Sequence, residues 1–405
     1  MTEEHHDIAI VGGGPVGMTL ALALSRSMAG LKIAMLDRRD FAVPQDQRAF
    51  ALSAGVKRVL ETLGVWRAVA DKAEPILKMK ITDSGTGDIA RPLFLSFEGP
   101  LSSGEPYAHM VPNTALSTAL LKALEGRATL ISQVEVTGFE TDPSSGRLTL
   151  KDGRTIVAPL IVAADGAQSA LRRMAGIGVI VHDYKQSGIV TTISHELAHE
   201  GVAYEHFRPA GPFASLPLPG NRSSLVWTER SQAVERYKAM PLDDVARVIE
   251  EVMGSSLGAV TVEEKLQSFP LAMRLARSFI APRLALIGDA AHVVHPVAGQ
   301  GLNLGLKDVA ALAEVAVEAM RVGLDPGASD VLEKYQRWRR FDTALMALVT
   351  DGMTRLFSND IAPVRALRDI GLGVVDRLPP LKDLMIARAA GIERSGPRLL
   401  RGLPV

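Results

Sequence analysis

The sequence predicts an α/β fold, in which a doubly wound parallel sheet carries an inserted mixed-sheet domain and C-terminal helices follow. Three observations support this prediction. A strand, a glycine-rich turn, a helix and a second strand follow one another within residues 7–36. Two later apolar runs end beside a glycine and an acidic residue, and the block between those runs alternates in the way that β-strands do.

The first element is a βαβ unit. Asp7 to Val11 predicts a short buried strand, and Gly12 to Gly17 predicts a tight turn. Met18 to Met28 predicts a helix that Gly30 closes, and Leu31 to Leu36 predicts a second strand. This order opens a doubly wound sheet.

Two later apolar runs predict further strands of the same sheet. Leu160 to Ala164 is followed by Asp165, and Leu284 to Ile287 is followed by Gly288 and Asp289. Each strand therefore brings an acidic residue into a loop at its end.

The block between these runs predicts a second, inserted domain, with candidate strands at Ile189 to Ile193, Val202 to Phe207 and Ser224 to Trp227. From Leu302 onward the pattern is helical. The expected domain boundaries are residues 1–75, 106–183 and 270–330 for the first domain, 76–105 and 184–269 for the inserted substrate domain, and 331–405 for a C-terminal helical region.

Composition excludes several classes of function. Lysine plus arginine and aspartate plus glutamate both total 45, so the chain has no basic footprint for nucleic acid. The chain has no cysteine, which excludes disulfides, thiolate metal sites and Fe–S clusters.

The uncharged stretch from Ile8 to Ser25 is interrupted by glycines and a proline and follows Glu3, Glu4 and Asp7, so we expect a cytoplasmic protein without a targeting segment.

The N-terminal turn predicts a dinucleotide site. Gly12, Gly14 and Gly17 satisfy the pattern G-x-G-x-x-G, with Pro15 and Val16 at the helix start, where free N–H groups favour a pyrophosphate. Asp37 follows the second strand and can accept hydrogen bonds from a ribose. The motif does not distinguish FAD from NAD(P), because Arg38 and Arg39 could form a clamp for a 2′-phosphate.

Two further segments resemble motifs of flavoprotein hydroxylases of the p-hydroxybenzoate-hydroxylase type. Val162 to Arg172 is similar to their "DG" motif, Leu286 to His292 to their "GD" motif, and His295 to Asp308 to its continuation. The resemblance implies a Rossmann-like FAD-binding domain in which Asp165 and Asp289 face the cofactor. It also implies that the loop and first helical turn after the GD motif lie along the flavin ring, namely Pro296, Gly299, Gln300, Gly301, Leu302 and Asn303.

Three other positions follow from the same resemblance. The segment Asp46 to Ser53 is similar to one that places an arginine, here Arg48, against the cofactor. Asn113 stands where many relatives have arginine or glutamine near the phosphates, and Val134 is the candidate for backbone contacts to adenine.

The remaining matches resemble the ubiquinone-biosynthesis branch of this family. They are Gly201 to Phe207, Gly211 to Leu218, Tyr335 to Asp342 and Thr350 to Ser358. The resemblance implies hydroxylation of a polyprenylated phenol or quinol with O₂ and an electron donor, either NAD(P)H or a redox protein. The substrate candidates are Tyr204, Phe213, Leu216, Pro217 and His295, and no side chain is assigned as a catalytic base.

A zinc-protease pattern competes with these motifs. His195 to His199 matches H-E-x-x-H, which works on a helix, whereas the flanking residues favour strands and a hairpin connection. We therefore expect no metal site.

Three different functions remain compatible with the sequence. The chain could be a hydroxylase of a soluble aromatic compound, an NADP-dependent dehydrogenase, or a non-catalytic flavoprotein component of a biosynthetic complex.

The C-terminal part suggests a membrane contact. Ile361 to Leu378 carries apolar residues at near-helical spacing, and Lys382 to Val405 is net positive with Leu399 and Leu400 among its apolar residues. Such a segment suits peripheral docking on the inner face of a membrane, although packing of these helices on the first domain explains the pattern equally well.

Overall fold

The computed structural model describes residues 3–83, 93–98, 104–295, 299–357, 391 and 396–405. The helices of this part are α1 (Pro15–Ser27), α2 (Ala54–Thr62), α3 (Asn113–Leu124), α4 (Ala170–Met174), α5 (Ser231–Ala239), α6 (Leu242–Met253), α7 (Gln300–Arg321) and α8 (Ser329–Phe357). Its first strands are β1 (Glu3–His5), β2 (Ile8–Val11), β3 (Ile33–Leu36), β4 (Ala49–Ser53), β5 (Glu74–Ile76), β6 (Lys78–Asp83), β7 (Leu93–Glu98), β8 (Ala108–Pro112), β9 (Thr129–Ile131), β10 (Val136–Thr141) and β11 (Gly146–Leu150). The later strands are β12 (Thr155–Ala158), β13 (Leu160–Ala163), β14 (Val179–His195), β15 (Val202–Phe207), β16 (Phe213–Leu218), β17 (Arg222–Arg230), β18 (Val260–Val262), β19 (Gln267–Ala276), β20 (Ile280–Ala281), β21 (Leu284–Leu286) and β22 (His292–Val293).

A parallel sheet forms the centre of the fold. Its order is β20-β21-β13-β2-β3-β9, and all strands except the edge strand β20 are parallel. Ile8, Ile10, Leu20 and Leu22 are fully buried, because β2 lies at the middle of the sheet and α1 packs on it. The prediction of an α/β fold with a doubly wound parallel sheet is confirmed.

A larger mixed sheet is inserted into this chain. Its order is β22-β19-β14-β17-β16-β15-β6-β7, with β18 paired to β14, and only β15 and β6 are parallel. The strands β14 and β19 pair from Val179 opposite Ala276 to Val190 opposite Gln267. They therefore run past residues 183 and 270, where the sequence suggested that the substrate domain begins and ends.

Two smaller sheets complete the architecture. One has the order β1-β12-β11-β10, and the other has the order β4-β8-β5. Met110 of β8 packs with Ala203 and Leu218 of the mixed sheet, so the three-stranded sheet lies against one face of the mixed sheet. Helices α5 and α6 cover the other face, where Ile249 packs with Trp227.

The C-terminal part returns to the main core. In α8, Tyr335 is fully buried and its hydroxyl donates a hydrogen bond to the carbonyl oxygen of Leu286 at 2.6 Å. Leu399 and Leu400 are buried in the same core. The suggestion that these two leucines face a membrane is therefore wrong, since they pack inside the fold. The remainder of that suggestion, residues 361–390 and 392–395, lies outside the described residues.

Candidate functional site

The glycine turn leaves an open cradle at the start of α1. At Gly12, with φ of +121°, an added Cβ would lie 2.1 Å from the Ala164 carbonyl oxygen, and at Gly17 it would lie 2.1 Å from that of Gly12. A Cβ at Gly14 would meet nothing within 4 Å. Gly12 and Gly17 are thus required by the fold itself, whereas Gly14 borders open space at the N-cap position of α1, where it offers no side chain to cap the helix. Pro15 occupies the first turn, and Val16 beside it would contact a side chain added at Gly288.

Asp37 closes the far end of this cradle. Its carboxylate accepts hydrogen bonds from the backbone N–H groups of Gly13 at 2.6 Å and Arg39 at 2.8 Å. Arg38 is exposed next to it. The N–H group of Val134 donates to the Asp37 carbonyl oxygen at 3.0 Å, so this group is already used within the protein. Val134 therefore lies beside Asp37, and of its two backbone groups only the carbonyl oxygen is not used in this contact.

Arg48 forms an ion pair with Asp46, and Asn113 contacts the same carboxylate. Its guanidinium lies 2.7 Å from Asp46 Oδ2, and Asn113 Nδ2 donates to the same oxygen at 2.8 Å. Burial raises the pKa of Asp46, but the hydrogen bonds from Arg48 and Asn113 outweigh it and keep this pKa below its ordinary value. Asn113 is buried and its side-chain oxygen accepts from Ser117, so it orients Asp46 and Arg48. The sequence resemblance assigns no role to Asp46.

The DG and GD loops are joined by Arg172. Its guanidinium donates to the carbonyl oxygens of Ala290 at 2.6 Å and Ala167 at 2.9 Å. Asp165 Oδ2 accepts from the N–H groups of Ala170 and Leu171, so this carboxylate caps α4. The resemblance places Asp165 at the cofactor and gives Arg172 no function. The contact between Arg172 and Ala290 could not be foreseen from the sequence, because the two residues are far apart along the chain.

Asp289 lies on the cleft between the two loops. Its side chain is exposed, and desolvation by the protein atoms around the carboxyl raises the pKa of this group. The charges of His292 and Arg48 oppose that shift. Asp289 and Arg48 are therefore close enough for their charges to interact across the cleft.

The N-terminus of α7 lies on the same cleft. Gly299 precedes it with φ of +63° and, as a glycine at the N-cap position, offers no side chain to cap the helix. Asn303 is buried, and its side chain accepts from the N–H of Ser53 at 2.9 Å and donates to the Ala51 carbonyl oxygen at 2.8 Å. Its side chain thus connects α7 to β4, and only its backbone remains for a ligand.

The other residues predicted to lie along the flavin ring differ in exposure. Gln300 is buried and Leu302 half-buried, and a Cβ added at Gly301 would meet nothing within 4 Å. Pro296 lies outside the described residues.

The substrate candidates lie on two different faces of the mixed sheet. Leu216 faces the three-stranded sheet, with Ala203 and Leu218. We call the face of the mixed sheet toward the three-stranded sheet the inner face, and the face under α5 and α6 the outer face. Phe213 packs with Trp227 on the outer face, at 5.7 Å between ring centroids, and strand alternation puts Tyr204 and Pro217 on the same face. These three residues are not brought to the cleft.

His295 is fully buried beside Tyr184, with 4.9 Å between the ring centroids. Burial lowers its pKa to about 4, against a smaller raising effect of Asp351. This histidine is neutral at physiological pH and lies directly before the undescribed residues 296–298.

The segment from His195 to His199 connects β14 to β15. Nδ1 and Nε2 of His195 lie within hydrogen-bond distance of the Leu197 carbonyl oxygen and Ser223 Oγ, and His199 Nε2 lies 2.8 Å from the Leu218 carbonyl oxygen. The two imidazole rings thus contact different residues near the ends of neighbouring strands, and the two histidines do not lie on a helix.

The cleft fits FAD. The open backbone at Gly14 and the uncapped α1 N-terminus suit a pyrophosphate, Asp37 suits a ribose, and the uncapped N-terminus of α7 suits the edge of a flavin ring where negative charge collects. Asp289 and Arg48 lie between these ends. In the part of the chain that the structure describes, no helix is long and apolar enough to span a bilayer.

Comparison with known proteins supports this assignment. The profile of the FAD binding domain family matches residues 5–346. The chain is 45% identical to ubiquinone hydroxylase UbiL of Rhodospirillum rubrum, covering 98% of this chain and 93% of that protein. It is 35% identical to 3-demethoxyubiquinol 3-hydroxylase of Escherichia coli, covering 97% and 100%.

A solved structure has the same fold. The p-nitrophenol 4-monooxygenase PnpA of Pseudomonas putida superimposes with a TM-score of 0.80 at 19% identity, covering 97% of this chain and all of that one. FAD as cofactor, predicted from the three motifs, is confirmed by the family match. The chain therefore belongs to the FAD-binding hydroxylase family of the p-hydroxybenzoate-hydroxylase type and is an FAD-dependent monooxygenase.

Proposed function

We propose that this enzyme hydroxylates the aromatic ring of a polyprenylated phenol or quinol precursor of ubiquinone. The observation that carries the proposal is similarity over nearly the whole chain to proteins named ubiquinone hydroxylases, at 45% and 30% identity, and to a 3-demethoxyubiquinol 3-hydroxylase at 35%. O₂ and reducing equivalents from NAD(P)H or a redox protein would be the other reactants.

The protein's share of the reaction is to bind and orient. We assign the pyrophosphate to the turn from Gly12 to Gly17, the ribose to Asp37, and the middle of the cofactor to Arg48 and Asp289. When bound, FAD would transfer the reducing equivalents of the electron donor to O₂ and activate it, so that one oxygen atom enters the ring and the other leaves as water. The network of Asp46, Asn113 and Arg48 holds the cation in place before the cofactor arrives.

The inner face of the mixed sheet supports an aromatic, largely apolar substrate. Ala203, Leu216 and Leu218 pack there with Met110 and Ile76, and we place the reacting ring beside this apolar cluster. Apolar walls exclude water from the reacting ring, which protects the activated oxygen from release as peroxide. Leu216 is half-buried and remains the sequence candidate best placed for a substrate contact.

We further propose that the enzyme meets its substrate at the membrane surface, since moving each CH₂ of a polyprenyl tail into water costs about 0.8 kcal/mol. The basic residues Lys382, Arg388 and Arg394 and the preceding apolar segment, Ile361 to Leu378, are the sequence features that favour this contact. Co-sedimentation with anionic phospholipid vesicles tests it. Changing these three residues to glutamine should weaken binding by about 1 kcal/mol for each charge removed.

The matched control neutralises three exposed arginines on β17, α5 and α6, namely Arg230, Arg236 and Arg247. Equal loss of binding in both triple variants would show that the contact is not made by the C-terminal segment.

Genetic complementation tests the main proposal. The gene is expressed in a bacterial strain that lacks one ubiquinone ring hydroxylase, and quinones are identified by mass spectrometry. Restored ubiquinone, with disappearance of the accumulated precursor, is the expected result. Failure in every single-hydroxylase deletion, with the protein present and loaded with FAD, would contradict the proposal and favour a soluble aromatic substrate or a non-catalytic role.

A further inference from the structure

One carboxyl group lies on the inner face of the mixed sheet. In β15, Ala203 and Glu205 are two residues apart, so they point to the same side. Ala203 packs with Met110 and Leu218 against the three-stranded sheet. Glu205 therefore also faces inward, whereas Tyr204 between them faces outward.

The neighbours of Glu205 on this face are apolar. Pairing places Glu205 opposite Ala214 and Ile81, and Ala214 opposite Val226. Residues that are directly opposite in a sheet share a face. Ala214 is buried, and Ile81 and Val226 are half-buried.

No described group compensates for the carboxyl. Glu205 is 7% exposed, and among the residues that the structure describes neither a hydrogen bond nor an ion pair reaches its carboxyl. An ionisable group buried in this way costs stability, and such groups occur mainly where function requires them.

The charged and titratable neighbours on the mixed sheet belong to the outer face, and on the facing three-stranded sheet Glu74 pairs with Met110 and shares its face. Lys80 lies 5.3 Å from the ring centroid of Tyr204, and His206 Nδ1 lies 2.5 Å from Thr82 Oγ1. The buried pair formed by Arg208 and Glu229, 3.7 Å apart, lies at the Trp227 ring on that side. The environment of Glu205 is therefore set by burial alone, and this burial raises its pKa to about 7.

The same inner face continues to the cofactor cleft. Phe269 pairs with Gly188, and Gly188 pairs with Thr228, which lies two residues from Val226 and so on the same face. The Arg48 guanidinium lies 5.7 Å from the Phe269 ring centroid. The wall that contains Glu205 thus ends at the arginine assigned to the cofactor.

We propose that Glu205 binds the ring hydroxyl of the substrate and acts as the base that deprotonates it. The phenolic O–H bond breaks, the proton bonds to a carboxylate oxygen of Glu205, and the electron pair stays on the phenolate oxygen. The ring carbons ortho and para to that oxygen become more electron-rich, which favours attack on an electrophilic oxygen. After hydroxylation, Glu205 returns the proton to the ring oxygen, so this step consumes no oxidant or reductant.

This assignment rests on the proposed function, because it requires a phenol or quinol substrate. A base acts best when its pKa lies near the working pH, and a positioned base contributes a factor of about 10²–10⁴ to the rate. The burial of Glu205 among apolar residues of the inner face and its pKa of about 7 are the two properties that support this role.

The test compares FAD-loaded wild type with Glu205→Gln and Glu205→Asp, and with Glu200→Gln as the control for an exposed carboxyl just before β15. Hydroxylated product is measured by mass spectrometry with the precursor identified by complementation. Glu205→Gln should keep its FAD affinity and lose product formation by about 10²–10⁴-fold. Glu205→Asp should retain part of the activity, and Glu200→Gln all of it.

The pH profile distinguishes a base from a structural residue. In the wild type, kcat/KM should rise with pH through about 7, as the carboxyl loses its proton. In Glu205→Gln this rise should be absent. Product formation within about threefold of wild type, or an unchanged rise, would overturn the assignment.

A binding experiment separates this assignment from the proposed function. Unsubstituted phenol is titrated into each FAD-loaded protein and detected by the change in flavin absorbance. Wild-type affinity should increase with pH through about 7, and Glu205→Gln affinity should not. This difference without hydroxylation of any ubiquinone precursor would refute only the proposed function, whereas pH-independent binding in the wild type would refute the role of Glu205.

Discussion

His292 Nε2 lies 2.6 Å from Asp308 Oδ2, and both side chains are buried. The same carboxylate accepts from the N–H of Gly288 at 2.9 Å and from Arg339 Nε at 2.7 Å. One aspartate on α7 thus joins the GD loop, which carries Asp289, to α8. The shape of the cleft depends on this buried network.

Removing the Asp308 charge should destabilise the whole fold. Asp308→Asn leaves Arg339 buried without its main counter-charge, and breaking a buried pair in this way costs about 3–5 kcal/mol. Burial raises the pKa of Asp308, but His292 and Arg339 outweigh it and keep this pKa below its ordinary value. The stabilisation is therefore present above the ordinary carboxyl pKa and is lost as pH falls through the lower, folded-state value.

Urea unfolding at neutral pH measures this loss, with Glu333→Gln on the exposed side of α8 as the control. A cost below about 1 kcal/mol for Asp308→Asn would show that the network contributes little to stability.

Asp289→Ala should weaken flavin binding without unfolding the protein. A lost hydrogen bond to a charged group costs about 1.5–3 kcal/mol, which corresponds to roughly a tenfold to hundredfold increase in the FAD dissociation constant. Quenching of flavin fluorescence on binding to the apo-protein gives this constant. Asp330→Ala, on an exposed part of α8, should leave it unchanged. An unaltered constant in folded Asp289→Ala would remove Asp289 from the site.

The glycine turn allows fold and binding to be tested separately. Gly12→Ala places a Cβ 2.1 Å from a backbone oxygen at a φ of +121°, so we expect lower thermal stability even without FAD. Gly14→Ala meets no protein atom within 4 Å and should leave the apo-protein's Tm unchanged, while weakening FAD binding by crowding the pyrophosphate. Gly352→Ala, also in open space, is the control. Normal FAD affinity in Gly14→Ala would place the pyrophosphate elsewhere.

Much of the central sheet could be predicted from local patterns. β15 begins and ends where alternation predicts, at Val202 and Phe207, and β2 lies within its predicted range. β14 is far longer than predicted, since the bulge between Asp183 and Gln186 interrupts the alternation on which the prediction depended. Helix α7 begins at Gln300, slightly before the predicted start, because Gly299 provides the left-handed residue that precedes it.

The site was only partly predictable, for a different reason. The glycine turn, Asp37 and Asp289 are recognisable because each lies beside a strand end. Which face of β15 packs toward the three-stranded sheet depends on how two sheets pack, so the resemblance that made Tyr204 a candidate could not show that Glu205 lies on the inner face and Tyr204 on the outer face. The contact between Arg172 and Ala290 likewise joins segments that no local pattern connects.

Stability should also report the cost of the buried Glu205 carboxyl. Its pKa in the fold is raised by burial to about 7 from an ordinary value of 4.5, so the folded state favours the protonated form. Below the ordinary value both states hold the proton and no penalty arises. As pH rises, the unfolded chain releases this proton first, and the penalty grows until it is complete above about pH 7, at roughly 3 kcal/mol. Glu205→Gln carries no such charge, so its unfolding free energy relative to wild type should increase by roughly that amount between pH 5 and pH 8.

Urea unfolding with FAD saturating at each pH measures the difference, and Glu200→Gln should show a constant offset from wild type. A pH-independent difference for Glu205→Gln would mean that the carboxyl is hydrated or paired in the folded protein.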